Sequence, residues 1–302
     1  MIRIGFDIGG SKLAALAMDG RGRDLGRTRQ NVPRSYAATI ETLRAVVANL
    51  QAAHGPAGAV GIAMPGMIGA GGEPIRAVNL PWLEGRPLGA DLARALGKPV
   101  AIANDANCFA LSEAIDGAAA GAEVVFGATL GTGVGGGIVV GGRSLPGANA
   151  IAGEWGHNPL TADAEDGPPV VCGCGRTGCV ETWLNGAALA RDYERVARRE
   201  IGGPEVARLA EQGDPAARTA LDRYQRRLAT ALAGIVNLLD PDVIVLGGGL
   251  SAIESLYAEV PKLWAPLVVA PAPRTRLVPA RFGPESGLRG AAWLGRGGGR
   301  DN

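Results

Sequence analysis

Short apolar runs and stretches of helical spacing alternate along the chain. Ile2-Arg3-Ile4-Gly5-Phe6-Asp7-Ile8 reads as a strand. Gly9-Gly10-Ser11-Lys12 interrupts it, and a second apolar run, Leu13 to Met18, ends at the turn Asp19-Gly20. Ile40, Leu43, Val46, Val47 and Leu50 recur at helical spacing, which predicts a helix over about 35–53. Ala59 to Met64 reads as a buried strand stopped by Pro65-Gly66. A loop with Asn79-Leu80-Pro81-Trp82 and a helix over about 89–96 follow. The strand Pro99 to Ala103 closes at Asn104-Asp105, and a helix runs over about 106–115.

The second half repeats this opening grammar. Val124 to Leu130 is a strand, Gly131 to Gly137 a glycine turn, and Ile138 to Val140 the return strand. Both hairpins place a glycine-rich tip, with a Ser or Thr beside it, between two apolar strands. This suggests two related halves, although the duplication shows only at the hairpins. Residues 160–170 read as loop. Helices follow over about 186–200, 204–212 and 215–239. Val243 to Leu246 is a strand broken by Gly247-Gly248-Gly249, Leu250 to Trp264 a helix, Arg274 to Pro279 a late strand, and Ser286 to Leu294 a final helix before a frayed glycine tail. Strands alternating with helices predict an α/β fold with partly parallel sheets.

Composition narrows the function. The 302 residues suffice for two domains, and 47% hydrophobic with 20% charged residues is the range of a globular enzyme. Thirty basic residues against 29 acidic ones argue against a nucleic-acid partner. The basic residues are 27 Arg and 3 Lys, which beside 48 Gly reads as compositional bias and carries no functional weight. Val124 to Gly142 carries no charge, yet eight of its residues are glycine, so a hairpin fits better than a membrane helix. With no signal peptide expected at Met1, the protein is expected in the cytoplasm. There its four cysteines are metal ligands or core residues rather than disulfides.

Three glycine turns follow apolar strands: Gly9-Gly10-Ser11-Lys12, Gly131-Thr132-Gly133 and Gly247-Gly248-Gly249. Glycine lets a backbone approach a phosphate and frees its N–H groups to donate. Lys12 and the hydroxyls of Ser11 and Thr132 add donors, and Asp7 is placed to hold Mg²⁺ through water. One such turn alone reads as an ordinary hairpin; three together favour nucleotide binding. No dinucleotide fingerprint or P-loop pattern is present. Cys172, Cys174 and Cys179 lie within eight residues, and His157 completes a closed Cys3His set suited to structural zinc, the alternative being three reduced surface thiols. Cys108, in an apolar helix, reads as core. Glu154 and Glu181 flank the metal loop and suit neighbouring hydroxyls of a polyhydroxylated ligand, although Glu181 is equally explained as a charge favoured at a helix N-terminus. Asp105 is either an N-cap or a general base, roles that are compatible.

Together these residues resemble the ROK family of sugar kinases and repressors, from Ile4 to Ala292. The family's DxGGTK motif stands as Asp7-Ile8-Gly9-Gly10-Ser11-Lys12, with Ser for Thr. The second phosphate element stands as Leu130 to Gly137, ExGH as Glu154-Trp155-Gly156-His157, and CxCGxxGCxE as Cys172 to Glu181. The resemblance implies an actin-like (ribonuclease H-like) α/β fold of two lobes with the active site in the cleft. The expected lobes are residues 1–113, with the helix 286–296 packing back on them, and 114–285. It implies ATP, Mg²⁺ and structural Zn²⁺, a homodimer, and no nucleic-acid or membrane partner. Asp105 is then the base, and Gly66, Asn79, Asn104, Asp105, Glu154, His157 and Glu181 meet the sugar. Asp7, Gly9, Gly10, Ser11, Lys12, the run Gly131, Thr132, Gly133, Val134, Gly135 and Gly136, and Gly247, Gly248 and Gly249 hold the nucleotide. The segments 104–114, 65–67 and 240–251 are similar to those of family members that phosphorylate N-acetyl-D-glucosamine, so transfer from ATP to its 6-hydroxyl is expected. Glucose, fructose and N-acetylmannosamine remain alternatives. A sugar-sensing regulator is less expected, because no DNA-binding module is expected ahead of the first strand.

Overall fold

The computed structural model describes residues 1–69, 72–161 and 167–294. β1 (Ile2–Ile8), β2 (Lys12–Met18) and β3 (Asp24–Asn31) form an antiparallel meander. α1 (Tyr36–His54) then returns the chain to β4 (Ala57–Met64), which pairs parallel with β1. A small hairpin, β5 (Gly66–Ile68) and β6 (Pro74–Ala77), and α2 (Leu88–Leu96) lead to β7 (Val100–Asn104), parallel to β4. Parallel pairing requires such crossovers. The strand order is β3-β2-β1-β4-β7. α1 starts where the Ser35 hydroxyl accepts from the Ala38 amide, and its buried stripe of Thr39, Leu43, Val46, Val47 and Leu50 joins a core with Ile4, Phe6 and Ile62. α3 (Asp105–Ile115) follows β7 directly.

A second sheet contains β8 (Val124–Leu130), β9 (Val134–Val140) and β10 (Arg143–Ser144). α4 (Val180–Leu184), α5 (Gly186–Ala197), α6 (Gly203–Glu211) and α7 (Pro215–Leu239) precede β11 (Val243–Gly247); α8 (Ser255–Trp264), β12 (Arg276–Pro279) and α9 (Ser286–Leu294) complete the fold. The order β10-β9-β8-β11-β12, with β8, β11 and β12 parallel, is the arrangement of the first sheet over again. The duplication therefore reaches whole sheets, well beyond the hairpins where sequence alone displays it.

The chain divides into two compact units. The first comprises Met1–Gly121, Gly137–Ala152 and the chain from Pro284 on; the second comprises Ala122–Gly136 and Gly153–Gly283. The boundary falls inside β9. In the first unit α9 lies close on β1, β4 and α3, and glycine makes that approach possible. A Cβ on Gly5 would stand 2.5 Å from the Ala292 nitrogen, one on Gly61 1.8 Å from the Ala291 oxygen, and one on Gly290 1.7 Å from the Cys108 oxygen. Cys108 is fully buried there, as expected of a core residue.

Three local readings change. The glycine turn is only Gly131 to Gly133; β9 begins at Val134, so Gly135, Gly136 and Gly137 lie within a strand. Leu250 to Trp264 is not one helix but a 3-10 turn, Gly249–Ala252, followed by α8. β3 and the β5–β6 hairpin have no counterpart in the sequence reading. The centre of the 160–170 loop, residues 162–166, and the glycine tail lie outside the described residues, as do positions 295 and 296 of the final helix. Among the described residues, no helix is long and apolar enough to cross a membrane, and Val124 to Gly142 forms strands.

Candidate active site

In the first unit, the carboxyl ends of β1, β4 and β7 lie side by side, the place where open α/β sheets bind ligands. They carry Asp7, Gly66 and Asn104-Asp105. Asn104 is the N-cap of α3: its Oδ1 accepts from the Ala106 amide at 2.8 Å, and its Nδ2 donates to the Gly66 carbonyl at 3.0 Å. The cap role falls to Asn104, which leaves Asp105 as the first helical residue. The Asp105 carboxylate accepts from the same Ala106 amide at 2.9 Å. Desolvation pushes its pKa above the ordinary carboxylate range, against the pull of backbone amides. Solvent still reaches its side chain. A proton acceptor of raised basicity, open to a ligand, is the condition a general base needs.

Gly66 has φ 125°, and a Cβ there would stand 1.9 Å from the Arg76 carbonyl oxygen. The β5–β6 pairing therefore demands glycine, and Gly66 serves the site through the carbonyl that holds Asn104. Asn79 sits in the left-handed region at φ 62°, where a Cβ on Gly10 would be 2.9 Å from its own Cβ. It thus buttresses the tip of the β1–β2 hairpin. That tip is closed by the Gly9 amide donating to the Lys12 carbonyl at 2.9 Å. A cavity of about 590 Å³ opens beside it, lined in part by Asp7, Ser11, Lys12, Arg27, Arg29 and Glu285. Desolvation, then the negative charges of Asp105 and Glu285, raise the Asp7 pKa to about 6, while Arg29 pulls the other way. Arg27, Arg29 and Glu285 are absent from the sequence prediction. The first two lie on the missed strand β3, whose run of polar residues gave no alternation to mark it.

In the second unit the β8–β9 tip closes through the Gly131 amide on the Gly133 carbonyl at 3.0 Å, and Thr132 stands exposed at its end. The Thr129 hydroxyl accepts from the Gly135 amide at 3.1 Å. Gly247 ends β11, Gly248 turns the chain at φ 82°, and Gly249 opens the 3-10 turn. Glu181 lies in the first turn of α4, where its Oε2 accepts from the Val134 amide at 3.1 Å. The helix-start explanation matches its position, and its carboxylate also ties that start to the glycine hairpin.

His157, Cys172, Cys174 and Cys179 offer four donor atoms within 4.8 Å of one another. Cys172 Sγ lies 3.5 Å from His157 Nδ1, and Cys174 Sγ 3.7 Å from Cys179 Sγ. A tetrahedral zinc with Zn–N and Zn–S bonds of ordinary length sets its ligands about 3.5 Å (N to S) and about 3.8 Å (S to S) apart, so the set fits that ion. Gly175 and Gly178, at φ 86° and 76°, make the reversals that bring the thiols together. Arg176, through hydrogen bonding, favours the Cys174 thiolate and lowers its pKa to about 6. The remaining ring nitrogen of His157, Nε2, lies 3.8 Å from Glu154 Oε2.

The glycines fall into two kinds. At Gly133 a Cβ would meet Glu181 Oε2 at 2.8 Å, and at Gly248 the Leu130 oxygen at 2.4 Å, so the fold itself requires them. At Gly131 the nearest atom is 4.0 Å away and at Gly249 nothing lies within 4 Å, and neither has a positive φ. Nothing in the protein needs those two to be glycine. The absence of a Cβ at both positions leaves room for a phosphate to approach the backbone.

The sequence profile of the ROK family matches residues 3–297. The chain belongs to the ROK family. Among ROK proteins it is 41% identical, over 96% of its own length and 98% of the relative's, to the N-acetyl-D-glucosamine kinase of Salmonella paratyphi C. A ROK hexokinase structure from Thermus thermophilus superposes with a TM-score of 0.84 at 35% identity, covering 97% of each chain. A ROK glucokinase from Streptomyces griseus, solved with glucose and AMPPNP, gives 0.76 at 31% identity, covering 97% of this chain and 99% of that one. The actin-like α/β fold expected from the motifs is thus the fold of the ROK chain described above.

Proposed function

We propose that the protein is an ATP-dependent sugar kinase that phosphorylates the 6-hydroxyl of N-acetyl-D-glucosamine in the cytoplasm. One observation carries the reading: within a single sheet, the candidate base Asp105 and the glycine hairpin bearing Asp7 and Lys12 open at the same end, close enough for the negative charge of Asp105 to raise the Asp7 pKa. A base beside a phosphate hairpin is the minimal equipment for phosphoryl transfer to an alcohol. The 41% identity to a kinase of this substrate supports the choice of sugar.

In this mechanism Asp105 accepts the proton of the 6-hydroxyl as that oxygen attacks the γ-phosphorus. The bond from phosphorus to the β–γ bridging oxygen breaks, and ADP leaves with the electron pair. Asn104, fixed by its cap bond and by Gly66, orients the sugar beside Asp105. Glu154, Glu181 and the Nε2 of His157 take sugar hydroxyls on the second unit. The amides of Gly10, Gly133 and Gly249, with Ser11, Thr132 and Lys12, receive phosphate oxygens. Asp7 would hold Mg²⁺, which offsets charge on the triphosphate. The Cys3His set would hold Zn²⁺, whose chemistry is to fix the loop that carries Glu181 and the His157 ring. ADP release, coupled to an indicator reaction and run over N-acetylglucosamine, glucose, fructose and N-acetylmannosamine, tests the proposal. Highest kcat/KM on N-acetylglucosamine supports it; preference for another hexose replaces the substrate, and no sugar-dependent ADP ends the reading.

A further inference from the structure

β3 is an edge strand whose outward positions carry Arg27, Arg29 and Asn31. The register across the meander is explicit: Asp7 pairs with Ala14, and Ala14 with Arg29. The three residues form one row on one face of the sheet. Two positions away, Gly5, Leu16 and Arg27 form the parallel row. Strands spaced about 4.8 Å apart set the Asp7 and Arg29 backbones about 10 Å from each other, within reach of an arginine side chain. The residue between them is alanine, whose methyl leaves the path open.

The cations on this face differ in what they already hold. Arg27 is bound by Asp24 and by Glu285. Lys12 donates its Nζ to the Asn31 side chain at 2.7 Å. Arg29 has no hydrogen bond or ion pair among the described residues, is exposed, and lines the same cavity as Asp7, Ser11 and Lys12. Its charge is felt at Asp7. A lone arginine on an edge strand often serves only to discourage strand pairing. Here, however, it faces a cavity of about 590 Å³ beside a phosphate hairpin.

Strand order then gives the direction. Asp105 stands after β7 at one edge of the sheet, Asp7 on central β1, and Arg29 on β3 at the other edge. In-line transfer puts the attacking oxygen, held by Asp105, and the departing oxygen on opposite sides of the γ-phosphorus. The leaving group therefore points towards β2 and β3. We propose that Arg29 binds the β-phosphate of the nucleotide, so that its guanidinium meets the charge that collects on departing ADP. An arginine fork suits two phosphate oxygens at once, and a charged donor aimed at the leaving group is worth more in the transition state than in the ground state. The inference rests on the kinase reading above and adds a residue to it.

The test compares nucleotides that do and do not carry a β-phosphate. ADP and AMP binding are measured by calorimetry on the full-length protein, wild type, Arg29→Met and Arg29→Lys. The expected result is ADP bound about 10-fold or more weakly by Arg29→Met, with AMP unchanged and Arg29→Lys in between. The kcat should fall in parallel, with the sugar KM unmoved. Equal ADP affinity in wild type and Arg29→Met, or equal losses for ADP and AMP, overturns the assignment. Because these are binding measurements, they stand apart from the sugar panel: a wild type without sugar-dependent turnover ends the kinase reading, whereas a normal turnover with an indifferent Arg29→Met ends only this one.

Discussion

The hairpins β1–β2 and β8–β9 have the same dimensions: seven residues, a three-residue tip, seven residues. Position for position they differ in chemistry. Asp7 corresponds to Thr129, each the sixth residue of its first strand, and Lys12 corresponds to Val134, each the first of the return strand. The first hairpin carries charge, and its neighbours Asp105, Arg29 and Glu285 are charged as well. The second presents backbone amides and a hydroxyl, and its one close carboxylate, Glu181, is already tied to the Val134 amide. One backbone scaffold, used twice, has been given reactive groups in one copy and a fixed neutral cradle in the other. In the proposed mechanism the chemical step belongs to the first unit and positioning to the second, and mutations can separate the two.

The largest expected effect is at Asp105. Asp105→Asn should lower kcat by roughly 10²-fold or more, with sugar and ATP KM within a few-fold of wild type. A steady-state assay that found kcat nearly intact would move the base elsewhere. The matching change in the second unit, Glu181→Gln, should act mainly on KM for the sugar, because the proposed mechanism gives Glu181 an orienting role and no proton transfer. Equal kcat losses from both substitutions would erase the division between the units.

Next in size is the metal knot. Removing zinc with a strong chelator, or Cys179→Ser, should weaken sugar binding by roughly 10- to 100-fold, the usual scale for groups that hold a site in place. AMP binding should change far less. Elemental analysis should show one zinc per chain in untreated protein, and none would remove this part of the proposal. Acid should mimic the chelator, because zinc needs the thiols deprotonated and the imidazole neutral.

The glycines give a smaller and opposed pair. Gly248→Ala introduces a Cβ about 2.4 Å from the Leu130 oxygen at a positive φ and should destabilise the fold by about 1–3 kcal/mol, read as a lower denaturation midpoint. Gly131→Ala meets open space and should leave stability unchanged while weakening nucleotide binding. Loss of stability at both positions would mean that the cradle is a folding requirement and not a ligand site.

Much of this was visible in the sequence. The motif residues, the Cys3His set and the alternation of strands with helices follow from spacing and residue type. What was hidden has physical reasons. β3 reads Asp-Leu-Gly-Arg-Thr-Arg-Gln-Asn and is mostly unburied, so no apolar alternation marks it; only pairing with β2 makes it a strand. Arg29 and Glu285 lie far apart in the chain, and no local pattern announces that they share a cavity. Gly135 to Gly137 read as a turn because glycine weakens strands. Their reason is packing: a Cβ on Gly136 would stand 2.8 Å from the Gly153 oxygen, and one on Gly137 2.7 Å from the Ala106 oxygen. Asn104 and Asp105 both suit a cap, and only the hydrogen bonds decide which takes that role.

The finest contrast lies in the corresponding pair Asp7 and Thr129. Asp7 has a folded pKa of about 6, raised from an unfolded value of 3.8, so its ionised form is the one the fold disfavours. The resulting cost to stability is fully present above about pH 6, shrinks as pH falls, and is gone below the unfolded pKa. Asp7→Asn should therefore stabilise the ligand-free protein by about 1–3 kcal/mol at pH 7.5, with the gain vanishing near pH 4. The same variant should lose Mg²⁺-dependent turnover. Thr129→Val, at the uncharged counterpart, removes the acceptor for the Gly135 amide and should destabilise by about 1 kcal/mol with no pH dependence. Denaturant melts of both variants at pH 4, 5.5 and 7.5 decide the matter. A gain for Asp7→Asn that stayed constant across that range would mean that its carboxylate is not held at an energetic cost, and the first hairpin would lose the feature that most distinguishes it from the second.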